Sequence, residues 1–457
     1  AVQESRERVR AALHNSDLPF PLRRVVINLA PADVRKEGPA FDLPIALSLL
    51  LAQAALPPDC LTGTLTFGEL ALDGSLRPVR GAASIGTLAA HCGARRLLVP
   101  PANAAEVAAV TGVPVYAPAS LAHAVRFLRG VQPLPRVQPP PAGSAGRALR
   151  DLADIKGQVG AKRALEITAA GAHNLLMTGP PGAGKSLLAA ALPGLLPDLL
   201  YEEALEVVRI RSAAGLAGGT LPREAPFRSP HHSVSLAGLL GGGGSPRPGE
   251  VSLAHHGVLH LDELSEFRSD ALEALRQPLE EGVITVSRVR GSVTFPARFL
   301  LVASRNPCPC GLHGVPGATC SCSAAQLQRY RSRLSGPLLD RIDLRINIPR
   351  LSATEVLAAP GGESSEVVRS RVSEARKAAL KRQGHSNARL AGEELRRHAR
   401  LAAPAQALAR HAIERLGVSG RGYDRLLRVA RTIADLAGAP SIAEEHLAEA
   451  IAYRGAG

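Results

Sequence analysis

Three apolar runs with almost no polar interruption organise the middle of the chain: Leu175-Leu176-Met177, Val258-Leu259-His260-Leu261 and Phe299-Leu300-Leu301-Val302-Ala303-Ser304. Runs of this kind predict strands buried on both faces of a parallel sheet. The first leads into a glycine-rich turn and then an apolar periodic segment, Leu187 to Leu196, which predicts strand, loop and helix in that order. The second ends in Asp262-Glu263, the third in Arg305-Asn306-Pro307. Strict alternation over Val283–Phe295 predicts two strands about a turn. From residue 363 the period becomes helical: Ser365 to Gln383, Leu390 to His398, Pro404 to Leu416, Arg421 to Ala437 and Ile442 to Tyr453.

Ahead of this core the elements are shorter. Helices are predicted over Ser5–Leu13, Leu43–Ala55, Ala82–His91 and Leu121–Leu128, and strands over Arg24–Leu29, Phe67–Gly74 and Arg96–Pro100. Residues 131–147, rich in Pro and then Gly and Ser, form a linker. The organisation is thus an α/β domain over 1–130, a linker over 131–147, an α/β core over 148–350 and a helical domain over 363–457. The chain opens on Ala1-Val2-Gln3 inside a helical pattern and without Met, so an N-terminal part is expected to be missing.

Composition adds a partner class. The net charge of +14 and a pI near 10.2 favour a polyanion, most simply nucleic acid. No apolar run approaches the ~20 residues of a membrane span, and no signal-peptide pattern is visible. Six cysteines, four of them clustered, suit a reducing cytoplasm better than a disulfide framework.

The candidate chemistry sits at the ends of the apolar runs. Gly179-Pro180-Pro181-Gly182-Ala183-Gly184-Lys185-Ser186 has the spacing of a phosphate-binding loop. Its glycines let backbone N–H groups surround an anion, and the following helix points its positive end there. Lys185 reaches the β- and γ-phosphates of ATP, and Ser186 ligates Mg²⁺. Asp262 holds the same Mg²⁺, directly or through water, while Glu263 orients or deprotonates the attacking water. His260 reads as a packed core histidine. His231 and His232, being adjacent, converge poorly on one ion and read as a loop feature. Cys308, Cys310, Cys320 and Cys322 suit a structural Zn²⁺ in one reading and reduced or redox-active thiols in the other. Cys60 and Cys92 read as buried bystanders. Arg288, Arg290 and Arg298 make the hairpin basic, a natural grip on a phosphate backbone.

Several stretches resemble known families. Asn28–Pro39 and Gly68–Gly74 look like the proteolytic domain of Lon, with Ala40 where that family has its nucleophile and Ala83 near its lysine; the resemblance implies the fold without the chemistry. Asp151–Gln158 is similar to the segment beside the adenine in AAA+ ATPases. Pro230-His231-His232-Ser233, Cys308-Pro309-Cys310-Gly311 and Arg431-Thr432-Ile433-Ala434-Asp435 resemble the Mg-chelatase-like AAA+ group and, with the Lon-like part, the ComM (YifB) family over essentially the whole chain. The resemblance implies that Asn306 is the sensor 1 residue. It makes Arg341 in Leu339-Asp340-Arg341 an arginine finger acting on a neighbouring subunit. Arg421 becomes the sensor 2 residue, with Arg425 as second choice; the residues alone allow a solvated basic stripe along 421, 425, 428 and 431. The family further implies a homo-hexamer that hydrolyses ATP and drives migration of single-stranded or branched DNA during natural transformation. A metal-chelatase motor subunit is the alternative.

Overall fold

The apolar runs become neighbours in one sheet. Leu175–Thr178, Leu300–Arg305 and Val258–Leu261 pair in parallel, with Val302 opposite Leu175 and Val258 opposite Leu300. Two strands absent from the sequence expectation close the edges: Leu344–Asn347 beside the first run and Phe227–Arg228 beside the second. All the pairings in this five-stranded sheet are parallel. Alternate residues feed opposite faces, as strand geometry requires. Leu175, Met177, Val258 and Val302 pack in one core, and Leu176, Leu259, Leu261 and Leu301 in the other. Because the strands are parallel, their carboxyl ends share one edge. The phosphate-loop candidate, Asp262 and Asn306 all emerge there, where ligands of open α/β sheets bind.

The computed structural model describes residues 2–30, 38–141, 150–216, 218–243, 246–288, 291–352, 354–355, 362–416 and 419–454. They fall into two compact units, 1–144 with 200–223, and 145–199 with 224–457.

In the second unit the C-terminal helices Ser365–Gln383, Gly392–His398, Ala403–Leu416, Gly420–Leu436 and Glu444–Ala452 share a core with the sheet. Val368, Val372, Leu426, Val429, Ile433 and Leu447 belong to the same apolar cluster as Leu175 and Val302. Polar anchors tie them further. Buried His173 lies 3.2 Å from Asp343 through Nδ1 and 2.8 Å from the Thr432 hydroxyl through Nε2. Arg163 bridges Glu166 at 2.8 Å and Glu449 at 2.9 Å. The antiparallel hairpin Val283–Arg288 with Gly291–Pro296 forms as the alternation predicts.

The first unit holds a parallel sheet of Thr64–Thr66, Arg96–Leu98 and Val115–Tyr116, with a small hairpin of Glu69–Leu70 and Leu76–Arg77. Helices Val2–Asn15, Asp42–Ala52, Ala82–His91 and Leu121–Leu128 stand where the pattern puts them. The strand expected over Arg24–Leu29 does not form. The segment finds no partner strand among the described residues, and Val26 remains 81% exposed. Helix Pro101–Val110 was not expected; it is buried nearly all round, so it lacks the polar face that periodicity detects. Helix Tyr201–Ala214 also joins this unit, although the chain reaches it from the phosphate-loop side. Its Val208 packs with Ala83 and Val110, and its Ser212 hydroxyl accepts the Ala83 N–H at 3.2 Å.

Candidate nucleotide site

The loop between Thr178 and Lys185 is shaped by two kinds of glycine. Gly179 is needed for space: a Cβ there would stand 2.3 Å from the Ile348 carbonyl oxygen at the neighbouring strand's end. Gly182 and Gly184 are needed for conformation, with φ of 77° and 89°. Helix Lys185–Ala191 then starts directly after Gly184. Gln158 braces the loop from the segment before it, donating to the Ala183 carbonyl at 3.4 Å and to that of Pro349 at 2.8 Å.

Lys185 is 9% exposed and its ammonium donates to three neutral oxygens: Gly179 O at 2.6 Å, Pro180 O at 2.9 Å and Asn306 Oδ1 at 3.1 Å. Burial pulls its pKa below the ordinary lysine value, against the opposing charges of Asp262 and Glu263. A phosphate oxygen is a stronger acceptor for that cation than any of the three.

Asp262 is held from both sides. Oδ2 accepts from the Ser186 hydroxyl at 2.6 Å; Oδ1 accepts from the Ser304 hydroxyl and from the Glu263 N–H at 3.0 Å. Burial pushes this carboxyl up, but the bonds from Ser186 and Ser304 outweigh it and leave the pKa below the ordinary range. An ionised carboxylate beside a serine hydroxyl is the hard oxygen pair that Mg²⁺ takes. Ser304 was missed in the sequence. The signal was there: it is the one hydroxyl in an otherwise apolar strand, on the register facing Asp262's strand.

Glu263 sits at φ 53°, left-handed for a residue with a Cβ. Such a conformation costs on the order of 1–3 kcal/mol and collects at functional sites. Its Oε2 lies 3.4 Å from His232 Nδ1. The His232 ring packs on His231 at 4.0 Å between centroids and against the edge of Phe267 at 6.4 Å. The adjacent histidines are therefore more than a loop feature: one of them contacts the carboxylate expected to act on water. His260 is the core histidine expected. It faces Ser229 at 3.1 Å and stacks on Phe227, and burial pulls its pKa below the ordinary histidine value against the charge of Asp262.

Arg341 and Arg421 do not join this cluster. The Arg341 guanidinium pairs with Glu280 and donates to the Pro337 carbonyl. Burial lowers its pKa, and the nearby charges of Arg276 and Arg421 lower it further. Arg421 is exposed at the start of the helix Gly420–Leu436. Arg425 holds the finger segment itself, donating to Asp340 at 3.0 Å. A solvated basic stripe is ruled out on this helix. Arg428 donates to the Leu390 carbonyl at 2.6 Å, and Arg431 is 1% exposed and paired with Asp435 at 2.9 Å.

The four clustered thiols converge, with each Sγ within 4.8 Å of the others. Cys92, read as buried from the sequence, is exposed, and Cys60 is half-buried. In the basic hairpin, the Arg288 backbone pairs with Gly291. The Arg288 side chain and the whole of Arg290 lie outside the described residues.

The sequence matches known families. The family described as magnesium chelatase, subunit ChlI, matches residues 151–356. Subunit ChlI of Mg-chelatase matches residues 1–103, and the ChlI C-terminal family residues 362–454. The chain is 47% identical over 460 residues to the uncharacterized protein YifB of Escherichia coli, covering 99% of this chain and 89% of that protein. It is 44% identical over 462 residues to the competence protein ComM of Haemophilus influenzae, covering 99% and 90%. Likeness to the magnesium-chelatase 38 kDa subunit of Rhodobacter capsulatus is narrower: 30% over 193 residues, 38% of this chain and 54% of that one. Full-length identity of this order, over a parallel-sheet core that carries the ChlI match, makes the chain a member of the ComM/YifB family of Mg-chelatase ChlI-like AAA+ ATPases.

Proposed function

We propose that this chain is an ATP-hydrolysing motor that works as a homo-hexamer and drives branch migration of DNA, as in natural transformation and recombination. The observation that carries the ATPase part is the convergence of Lys185, Ser186, Asp262 and Asn306 at the carboxyl ends of three adjacent strands. Lys185 and the loop amides bind the phosphates, and Ser186 with Asp262 would hold Mg²⁺. Bound Mg²⁺ neutralises charge that builds on the transferred phosphoryl group. Glu263 receives the proton of the attacking water, and Asn306 aligns that water. Arg341 serves a neighbouring copy as arginine finger, since in its own chain it pairs with Glu280 away from the loop, and Arg421 is the sensor 2 residue.

The DNA part rests on the competence protein among the relatives, the net charge of +14 and the basic hairpin. A ring gripping the backbone would show little sequence preference and steep salt dependence. None of the described helices is long and apolar enough to cross a membrane; the free clustered thiols suit a reducing cytoplasm, where we place the motor. For the N-terminal unit we propose kinship with the Lon fold alone. Ala40 packs in its core and Ala83 is fully buried, so neither supplies a nucleophile or a base.

The test is strand exchange on a synthetic three- or four-way junction with ATP, run beside Lys185→Ala. Junction migration lost in Lys185→Ala supports the reading. A chelatase-type motor acting on a protein partner is the second reading, favoured by the ChlI descriptions of all three matched segments. An ATPase that ignores junctions at low salt but responds to a chelatase partner would establish that one instead.

A further inference from the structure

The stretch from Asn306 to Ser323 contains no helix or strand. It turns on Gly311, Gly314 and Gly317, with φ of 79°, 71° and 72°, and is held by few backbone bonds, among them Gly311 N–H to Cys308 O at 3.0 Å. A segment of that length without regular structure has a large ordering entropy to overcome. What its geometry does supply is four sulfurs. Cys308 Sγ lies 3.3 Å from Cys310 Sγ and 3.8 Å from Cys320 Sγ, and Cys310 to Cys320 is 3.5 Å. A tetrahedral zinc with Zn–S of about 2.3 Å sets its sulfurs about 3.8 Å apart, so these positions need shift by only a few tenths of an ångström. The His313 N–H donates to Cys308 Sγ at 3.3 Å, the outer-shell bond that orients a ligating thiolate.

The loop's location gives the cluster a consequence. It begins two residues beyond Asn306, whose Oδ1 accepts from Lys185. Gly311 lies flat on the phosphate loop: a Cβ there would stand 2.5 Å from Cδ and 2.9 Å from Cγ of Pro181. Cys308 is fully buried between these two contacts along the chain.

We propose that Cys308, Cys310, Cys320 and Cys322 form a tetrathiolate zinc site that clamps the wall of the nucleotide site, fixing Asn306 at one end and backing Pro181 through Gly311. The cysteines act as positioning residues: the metal touches neither nucleotide nor water. The coupling to catalysis rests on the ATPase reading above, while the metal and its effect on the loop do not.

The experiment uses the full chain, purified without a metal-binding tag. Metal analysis should give about one zinc per chain. Cys320→Ser/Cys322→Ser should lose the zinc, exchange the amide hydrogens of residues 179–186 faster, and bind ATP roughly tenfold or more weakly, as expected for displaced positioning groups. Cys60→Ser/Cys92→Ser should match wild type in all three. Gly311→Ala separates clamp from metal: zinc is kept, but the methyl group displaces Pro181 and affinity falls. If the double serine variant does not fold, wild type stripped with a mercurial and chelator, then reloaded with zinc, gives the same readouts reversibly. Metal-free wild type with four titratable thiols overturns the proposal. So does zinc whose removal leaves amide exchange at 179–186 unchanged. If zinc and amide protection behave as expected but ATP never binds, the clamp stands and the ATPase reading falls.

Discussion

Two arginine- and lysine-bearing corners of the ATPase unit are built to different degrees of completeness. At the sheet edge, Lys185 bonds to Asn306, and Ser186 and Ser304 both bond to Asp262, all within one chain. At the finger segment, Arg341 turns to Glu280, its Nε has no partner among the described residues, and the charges of Arg276, itself paired with Glu273, and Arg421 lie close by. Neighbouring cations disfavour one another, and a further anion would relieve that repulsion. The contrast teaches that one chain carries a finished cradle and an unfinished clamp. On the proposed hexameric reading, the neighbour's triphosphate completes the clamp.

The comparison can be broken most sharply at Arg341. Arg341→Ala should lower ATP turnover by roughly 10³–10⁵ with nucleotide affinity near wild type. Mixing it with Lys185→Ala protein should restore some turnover, since mixed rings contain interfaces with an intact loop and an intact finger. Recovery of none, while wild-type rings tolerate dilution by either variant, would move Arg341 out of the trans role. Next in size, Glu263→Gln should cost about 10²–10⁴ in turnover while ATP still binds; filter binding beside steady-state rates separates the two.

His232→Ala should do less, about a tenfold loss in kcat at unchanged KM, as for other groups that only aim a functional side chain. Unchanged kcat would make the 3.4 Å contact with Glu263 incidental. Smallest on turnover is Asp435→Ala. It strips the buried Arg431 and its partner Arg382 of their shared carboxylate, at 2.9 Å and 2.7 Å. Stability should fall by about 3–5 kcal/mol, read from the denaturant midpoint, while the folded fraction keeps its activity.

The parts of this site legible in the sequence were those that spacing alone specifies. A glycine-rich loop after an apolar run, and acids after another, required no knowledge of contacts. His232 and Gln158 were illegible because their partners, Glu263 for one and the Ala183 and Pro349 carbonyls for the other, are brought near only by the fold; Ser304 carried a signal, a hydroxyl late in an apolar run, that means something only once its strand is known to lie beside that of Asp262. The edge strands Phe227–Arg228 and Leu344–Asn347 were lost for a related reason: they are short and only half-buried, so they lack the unbroken apolar signature. Arg24–Leu29 shows the converse. It carries β-branched residues without a neighbour to pair with, and propensity alone did not make a strand. In the C-terminal helices, the spacing of the arginines alone left a solvated stripe open as an alternative, yet Arg431 is among the most buried side chains described.

The excursion through Tyr201–Ala214 has a consequence for how this protein can be taken apart. The chain passes between the two units three times, near residues 144, 199 and 223, rather than once at the proline-rich stretch. The N-terminal unit is therefore no cassette: cutting it away at residue 150 leaves behind a helix whose Val208 packs with Ala83 and Val110 and whose Ser212 accepts the Ala83 N–H. Grafting the ATPase unit onto another front end would import that orphaned helix as well. Swaps between relatives should be joined in pairs, exchanging 200–223 together with the first 144 residues, so that inheritance of one half is tied to inheritance of the other.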